Sequence, residues 1–124
     1  MRYVMIALGG ALGALARYQV AALIQSRMPV FMFFPWGTFV VNISGCFVMG
    51  IVATALIDHT ANPNLWFLIP VGFIGAYTTF STFELETFRA LADGAWVTGS
   101  SYVLGSLVAG YIALWLGVLI ARLF

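Results

Sequence analysis

Thr78-Thr79-Phe80-Ser81-Thr82-Phe83 places four hydroxyl side chains and two aromatic rings in the middle of a stretch, Leu65 to Leu91, that otherwise reads as membrane-spanning. A polar group without a partner in hydrocarbon costs several kcal/mol. These hydroxyls are therefore expected to face a cavity, an ion or another helix. Function is to be sought there first.

The rest of the chain sets the solvent. Of its 124 residues 63% are hydrophobic and 7% charged, and the mean hydropathy is +1.05. That composition belongs to an integral membrane protein. A span takes roughly 20 apolar residues at about 1.5 Å each, so the chain accommodates a single all-α transmembrane domain with short connections. The expected spans are about 3–25, 36–57, 65–91 and 96–123.

The breaks fall between Gln25 and Pro29, from Asp58 to Asn64, and at Asp93-Gly94. Trp36, Trp66 and Trp96 each open an expected span, as an aromatic belt would. The first span, interrupted by Arg17, is expected to be retained rather than cleaved as a signal. The single Cys46 is expected to pack as a small hydrophobe, and His59 to be solvated. No cluster of His, Cys and carboxylates suggests a metal enzyme, and five spread arginines make no nucleic-acid patch.

Cationic residues normally set orientation. With four spans Arg2 and Arg122 fall on one side, and Arg27 and Arg89 on the other. Two against two gives no instruction. Insertion in both orientations would let two copies meet antiparallel about an axis in the membrane plane, and a dimer is expected. A fixed orientation with weak bias is the alternative.

Several helices carry a polar stripe. Gly9, Gly13 and Arg17 share a face of the first helix at four-residue steps. The two glycines allow close backbone approach. Arg17 either caps carbonyls and holds a neighbouring helix or draws anions. On the second helix Thr38, Asn42 and Gly45 share a face, and on the fourth Tyr102, Ser106 and Gly110 do so. Asn42 alone reads as interhelical glue. Three stripes in one small bundle read as a shared track.

On the third helix, β-branched Thr78 and Thr79 follow Gly72 and Gly75. A regular helix is weakest there, near the expected midplane. A break would free carbonyls that need a donor or a cation such as sodium. Phe80 and Phe83, three apart, would project from one face beyond the break. A ring edge carries the positive end of the aromatic quadrupole and can contact an anion without offering a charge. Core packing alone would account for any one of eleven phenylalanines.

Gly9-Gly10-x-x-Gly13-x-x-x-Arg17, Gly37-Thr38-x-x-Val41-Asn42 and Gly75-x-x-Thr78-Thr79-Phe80-Ser81-Thr82-Phe83 occur in order and spacing along this chain. Together they resemble the Fluc fluoride channels, the CrcB family, over essentially its whole length. The resemblance implies a dual-topology antiparallel homodimer in the bacterial inner membrane, with fluoride pores and a structural sodium ion at the dimer centre. Phe80 and Phe83 resemble the pore phenylalanines, and Asn42 the pore asparagine that donates its amide to the ion. The backbone carbonyls of Gly75 and Thr78 resemble the sodium site. Thr79, Ser81, Thr82, Tyr102 and Ser106 would supply track or pore hydroxyls, with Thr38 beside Asn42 and Arg17 near the vestibule. Glu86 matches an acidic position with a part in the track or gate.

Glu84 departs from the family pattern. Glu84 and Glu86 point about 200° apart on a helix, which speaks against paired acid/base chemistry. A carboxylate beside an anion path repels the ion unless it is protonated or paired, and Arg89 is an available partner for Glu86. Glu84 is a candidate for a subunit interface.

The implied function is passive, selective fluoride export without catalysis, so no enzyme is expected. A small proton-coupled multidrug exporter has similar size but needs a carboxylate on the first helix, which carries none. A noncatalytic membrane assembly subunit would pass no ion at all.

Overall fold

The computed structural model describes residues 1–28, 34–59 and 62–123, leaving aside the side chains of 58 and 59. Pro29, Thr60, Ala61 and the solvation expected of His59 lie outside the described residues. Four helical runs are long and apolar enough to cross a membrane: Arg2–Arg27, Trp36–Ile57, Pro63–Ala92 and Trp96–Ala121. Leu8, Leu12, Leu15, Leu104, Leu107 and Val108 are all exposed. An apolar exterior of this kind has lipid as its solvent. The protein is a multi-pass membrane protein.

Helix α1 (Arg2–Arg27) and α2 (Trp36–His59) are continuous. The third run is built from pieces: α3 (Pro63–Trp66), a π-helical segment Phe67–Ile74, α4 (Gly75–Tyr77) and α5 (Phe80–Ala92). Asn62 caps α3, its Oδ1 accepting the Asn64 amide at 3.0 Å, and Pro63 follows where a missing N–H does no harm. Pro70 lies inside the π segment and offers no amide to the turn before it. The widened register continues to Gly75, whose N–H reaches the Pro70 carbonyl five residues back.

Thr78 (φ −79°, ψ 159°) and Thr79 (φ −149°, ψ 122°) have extended backbone between α4 and α5. Thr79 then caps α5, its Oγ1 accepting the Thr82 amide at 3.3 Å. At the far end Gly94 turns the chain with φ +78°, a region that glycine enters freely. Helix α6 (Trp96–Ala121) follows.

Small residues set the packing. A Cβ on Gly9 or Gly13 would overlap the carbonyls of Leu68 and Phe73, so α1 lies directly on the π segment. Helices α2 and α6 approach as closely at Gly50 and Gly117. Val41, Ile74 and Tyr102 form the tightest part of the core. A Cβ on Gly45 would strike the Thr78 Cγ2, so that position of α2 receives the extended segment.

Candidate functional site

The extended segment is held by one side chain. Asn42 Oδ1 accepts the Thr79 N–H at 2.8 Å, and its Nδ2 donates to the Thr79 carbonyl at 3.1 Å. The amide thus pairs with both main-chain groups of a residue that a helix would have satisfied internally. The family resemblance implies that Asn42 donates to an ion. Here one of its two amide protons is used on Thr79, and the other is left for a further acceptor.

The clamp has a second effect. In a continuous helix the Thr79 amide would bond the Gly75 carbonyl, but it is engaged by Asn42. The ladder stops one residue earlier, where the N–H and Oγ1 of Thr78 both donate to the Ile74 carbonyl at 3.1 Å. Gly75 is exposed on the protomer surface.

Asn42, Thr78, Thr79, Phe80, Phe83 and Ser106, together with Cys46 and Leu107, line a cavity of about 240 Å³. No residue in that lining carries a formal charge. The Phe80 and Phe83 centroids lie 5.8 Å apart with planes at 39°. The two rings differ sharply in cover: Phe80 is 73% exposed and Phe83 6%. The Ser106 hydroxyl is buried and has no hydrogen-bond partner among the described residues. Cys46, expected only to pack, is half-buried and belongs to this lining.

Thr79 also borders a second cavity of about 370 Å³, whose lining includes Arg17, Tyr18, Thr38, Val41 and Thr82. Thr79 Oγ1 donates to the Thr82 hydroxyl at 3.0 Å. Thr38 Oγ1 donates to Glu86 Oε1 at 2.8 Å, and the Tyr102 hydroxyl donates to Glu86 Oε2 at 2.8 Å. Glu86 in turn borders a third cavity of about 380 Å³ with Gln25, Arg89 and Asp93. Thr79 lines both the first and the second of these chambers, and the Thr38–Glu86 hydrogen bond joins the lining of the second to that of the third.

The Glu86 geometry corrects one expectation. Its carboxylate is satisfied by the hydroxyls of Thr38 and Tyr102, not by Arg89. Tyr102 is fully buried and Thr38 is 7% exposed, so the acid turns into the bundle toward α2 and α6. Two neutral donors on a carboxylate give short, strong hydrogen bonds. Arg89, in the last turn of α5, is exposed.

The other residues singled out by sequence are dispersed. Ser81 and Glu84 are exposed and outside these three cavities. Tyr102 meets the cavity linings through its bond to Glu86 and through Phe83, whose ring lies 5.0 Å from its own. Tyr18, Gln25 and Asp93 join the linings although no sequence motif marks them. Tyr18 and Gln25 lie one and eight positions past Arg17 on α1, a spacing that carries no signal until α1 is placed beside α2 and α5.

The sequence model of the family described as "CrcB-like protein, Camphor Resistance (CrcB)" matches residues 4–118. A curated Acidobacterium capsulatum protein named "Fluoride-specific ion channel FluC" is 50% identical over 123 residues, covering 98% of this chain and 97% of its own. One of the same name from Solibacter usitatus is 49% identical, covering 98% and 99%. "Fluoride-specific ion channel FluC 2" from Clostridium acetobutylicum is 37% identical over 123 residues, covering 99% and 100%. The likeness spans every element that builds the Asn42 clamp and the Glu86 hydroxyl pair, and this chain accordingly belongs to the CrcB family.

Proposed function

We propose that this protein is a fluoride-selective channel that lets fluoride leave the bacterial cytoplasm passively across the inner membrane, with no catalytic chemistry. The observation that carries it is the uncharged cavity bounded by Asn42, Ser106, Phe80 and Phe83. The names and near full-length identity of the relatives support the same reading.

Fluoride is small and strongly hydrated, so a pore must replace its water with closely set donors without a fixed cation that would trap it. The free amide proton of Asn42, the unpartnered Ser106 hydroxyl and the ring edges of Phe80 and Phe83 are donors of that kind. Thr79 and Thr82 supply the adjoining track, and Ser81, exposed outside the cavities, does not join it. Thr38 and Tyr102 hold Glu86 at its wall, and Arg17 sits in the vestibule.

Two copies associate antiparallel in the membrane. The even split of Arg2 and Arg122 against Arg27 and Arg89 supports insertion both ways. A sodium ion at the interface is held by the carbonyls of Gly75 and Thr78 from both copies, at an interruption lying near the bilayer midplane. The residues fit such an ion: the clamp diverts the amide that would otherwise bond the carbonyl of the exposed residue Gly75, and neutral oxygens suit a hard monovalent cation. When bound, sodium would offset the carbonyl dipoles of Gly75 and Thr78 and tie the copies together.

Purified protein in liposomes, followed with a fluoride electrode and with a chloride electrode in the same preparation, tests the reading. Rapid fluoride efflux with chloride retained is expected. Proton-dependent uptake of a lipophilic cation in place of fluoride efflux would sink it.

A further inference from the structure

The third chamber has an electrostatic problem that the first two lack. Its lining carries two carboxylates, Glu86 and Asp93, and one guanidinium, Arg89. These residues lie at steps of three and four along α5 and its cap, so they share one side of that helix. Glu86 is tied to Thr38 and Tyr102, and Thr38 lines the second chamber. An anion coming from this end meets the carboxylates before it meets the track. Without Arg89 the chamber would carry two negative charges and repel it.

Arg89 is free to act on that anion. Among the described residues no hydrogen bond or ion pair occupies its guanidinium, and it is an exposed residue of the chamber lining. Its counterpart at the other chamber is Arg17, which lines the cavity on the far side of the Thr38–Glu86 wall. Each side of Glu86 therefore has one arginine.

Resting on the channel reading above, we infer that Arg89 is the anion-recruiting residue of the second mouth, offsetting Glu86 and Asp93 so that fluoride can enter from the α5 end. It acts through space, at a distance where water and salt screen it. The position in the last turn of α5 also suits the helix dipole. That effect would alter stability, and it would leave the salt dependence of flux unmoved.

The test is fluoride efflux from liposomes at about 10 mM and about 300 mM total ionic strength, a range over which the screening length falls from about 30 Å to under 8 Å. Wild type, Arg89→Gln, Arg89→Lys, Asp93→Asn and the double variant Arg89→Gln/Asp93→Asn are compared at equal reconstituted protein. A unit charge about 6 Å from the ion in water-like surroundings is worth roughly a threefold change in occupancy. Arg89→Gln should lower flux by about that factor at low salt and by much less at high salt. Arg89→Lys should keep the flux, Asp93→Asn should raise it, and the double variant should return toward wild type. Equal flux for Arg89→Gln and wild type at low salt would overturn the inference. So would an equal loss in Arg89→Lys, or a loss that high salt does not relieve, because each marks a role in folding or shape instead of charge. A wild-type protein that passes no fluoride would defeat the channel reading itself, a result distinct from any difference among the variants.

Discussion

Asn42 brackets the main chain of Thr79, taking its amide at 2.8 Å and feeding its carbonyl at 3.1 Å, so a side chain of one helix completes the backbone of another. This single contact fixes the extended segment, aims the first turn of α5 and leaves one amide proton uncommitted. On the channel reading proposed above, structure and conduction are coupled at this residue.

Asn42→Ala removes both bonds and leaves a half-buried N–H and C=O unpaired. A loss of about 2 to 4 kcal/mol is expected from two such groups. Asn42→Asp keeps the acceptor for the Thr79 amide but sets a second oxygen against the Thr79 carbonyl and adds an anion beside the path. Denaturant unfolding in detergent should rank wild type above Asn42→Asp and Asn42→Ala. Fluoride flux should fall at least tenfold in both. An Asn42→Asp protein that conducts at wild-type rate would remove this residue from the pore.

Phe80 separates the two roles that its neighbour combines. It is 73% exposed on the protomer, so Phe80→Ile should leave thermal unfolding nearly unchanged. It removes a ring edge from the cavity, and fluoride efflux should drop sharply. Phe83 is 6% exposed and packs 5.0 Å from the Tyr102 ring. Phe83→Ile should therefore lower both flux and stability. A Phe80→Ile protein with intact efflux would mean that ring edges do not contact the ion.

Both rings belong to the part of the molecule that is legible in the amino-acid sequence. Four spans follow from composition, because a run of twenty apolar residues has few other uses. The hydroxyls from Thr78 to Thr82 stand out because lipid rejects them. The partner that meets the Thr79 main chain is hidden, since Asn42 lies thirty-seven positions away and its register depends on Gly45 admitting Thr78. Glu86 misleads for a related reason. Arg89 is its helical neighbour by spacing, but Thr38 and Tyr102 arrive from other helices, and separations of forty-eight and sixteen residues leave no local signature. The π segment around Pro70 is equally silent, because proline only says that one amide is missing and not how the turn adjusts.

Tyr102→Phe isolates one arm of the Glu86 contact. It deletes the hydroxyl and leaves Glu86 Oε2 without its donor while the buried ring stays in place. Removing one partner of a hydrogen bond to a charged group costs about 1 to 3 kcal/mol. Stability should fall by that order, and fluoride flux should change because the carboxylate at the wall is no longer held. Glu86→Gln should be milder for folding, since Thr38 and Tyr102 can rotate their hydroxyls to suit an amide. Stability losses in the reverse order, with Glu86→Gln the worse, would show that the charge and not the hydroxyl contact holds the wall together.

Sodium offers the last test, because its proposed site is made of main chain and cannot be deleted by changing a side chain. The Gly75 carbonyl is available only while Asn42 holds the Thr79 amide. Exchange of the purified protein into a sodium-free buffer with a bulky organic cation should lower fluoride flux and loosen the dimer, measured by subunit exchange between differently labelled copies. Returning sodium should restore both, and potassium, being larger, should do so less well. Asn42→Ala adds a discriminating control. Without the clamp the extended segment is no longer held beside Gly75, so the variant should lose its response to sodium as well as its flux. Full flux and slow subunit exchange after exhaustive sodium removal would instead show that the two carbonyls serve the interface without any ion.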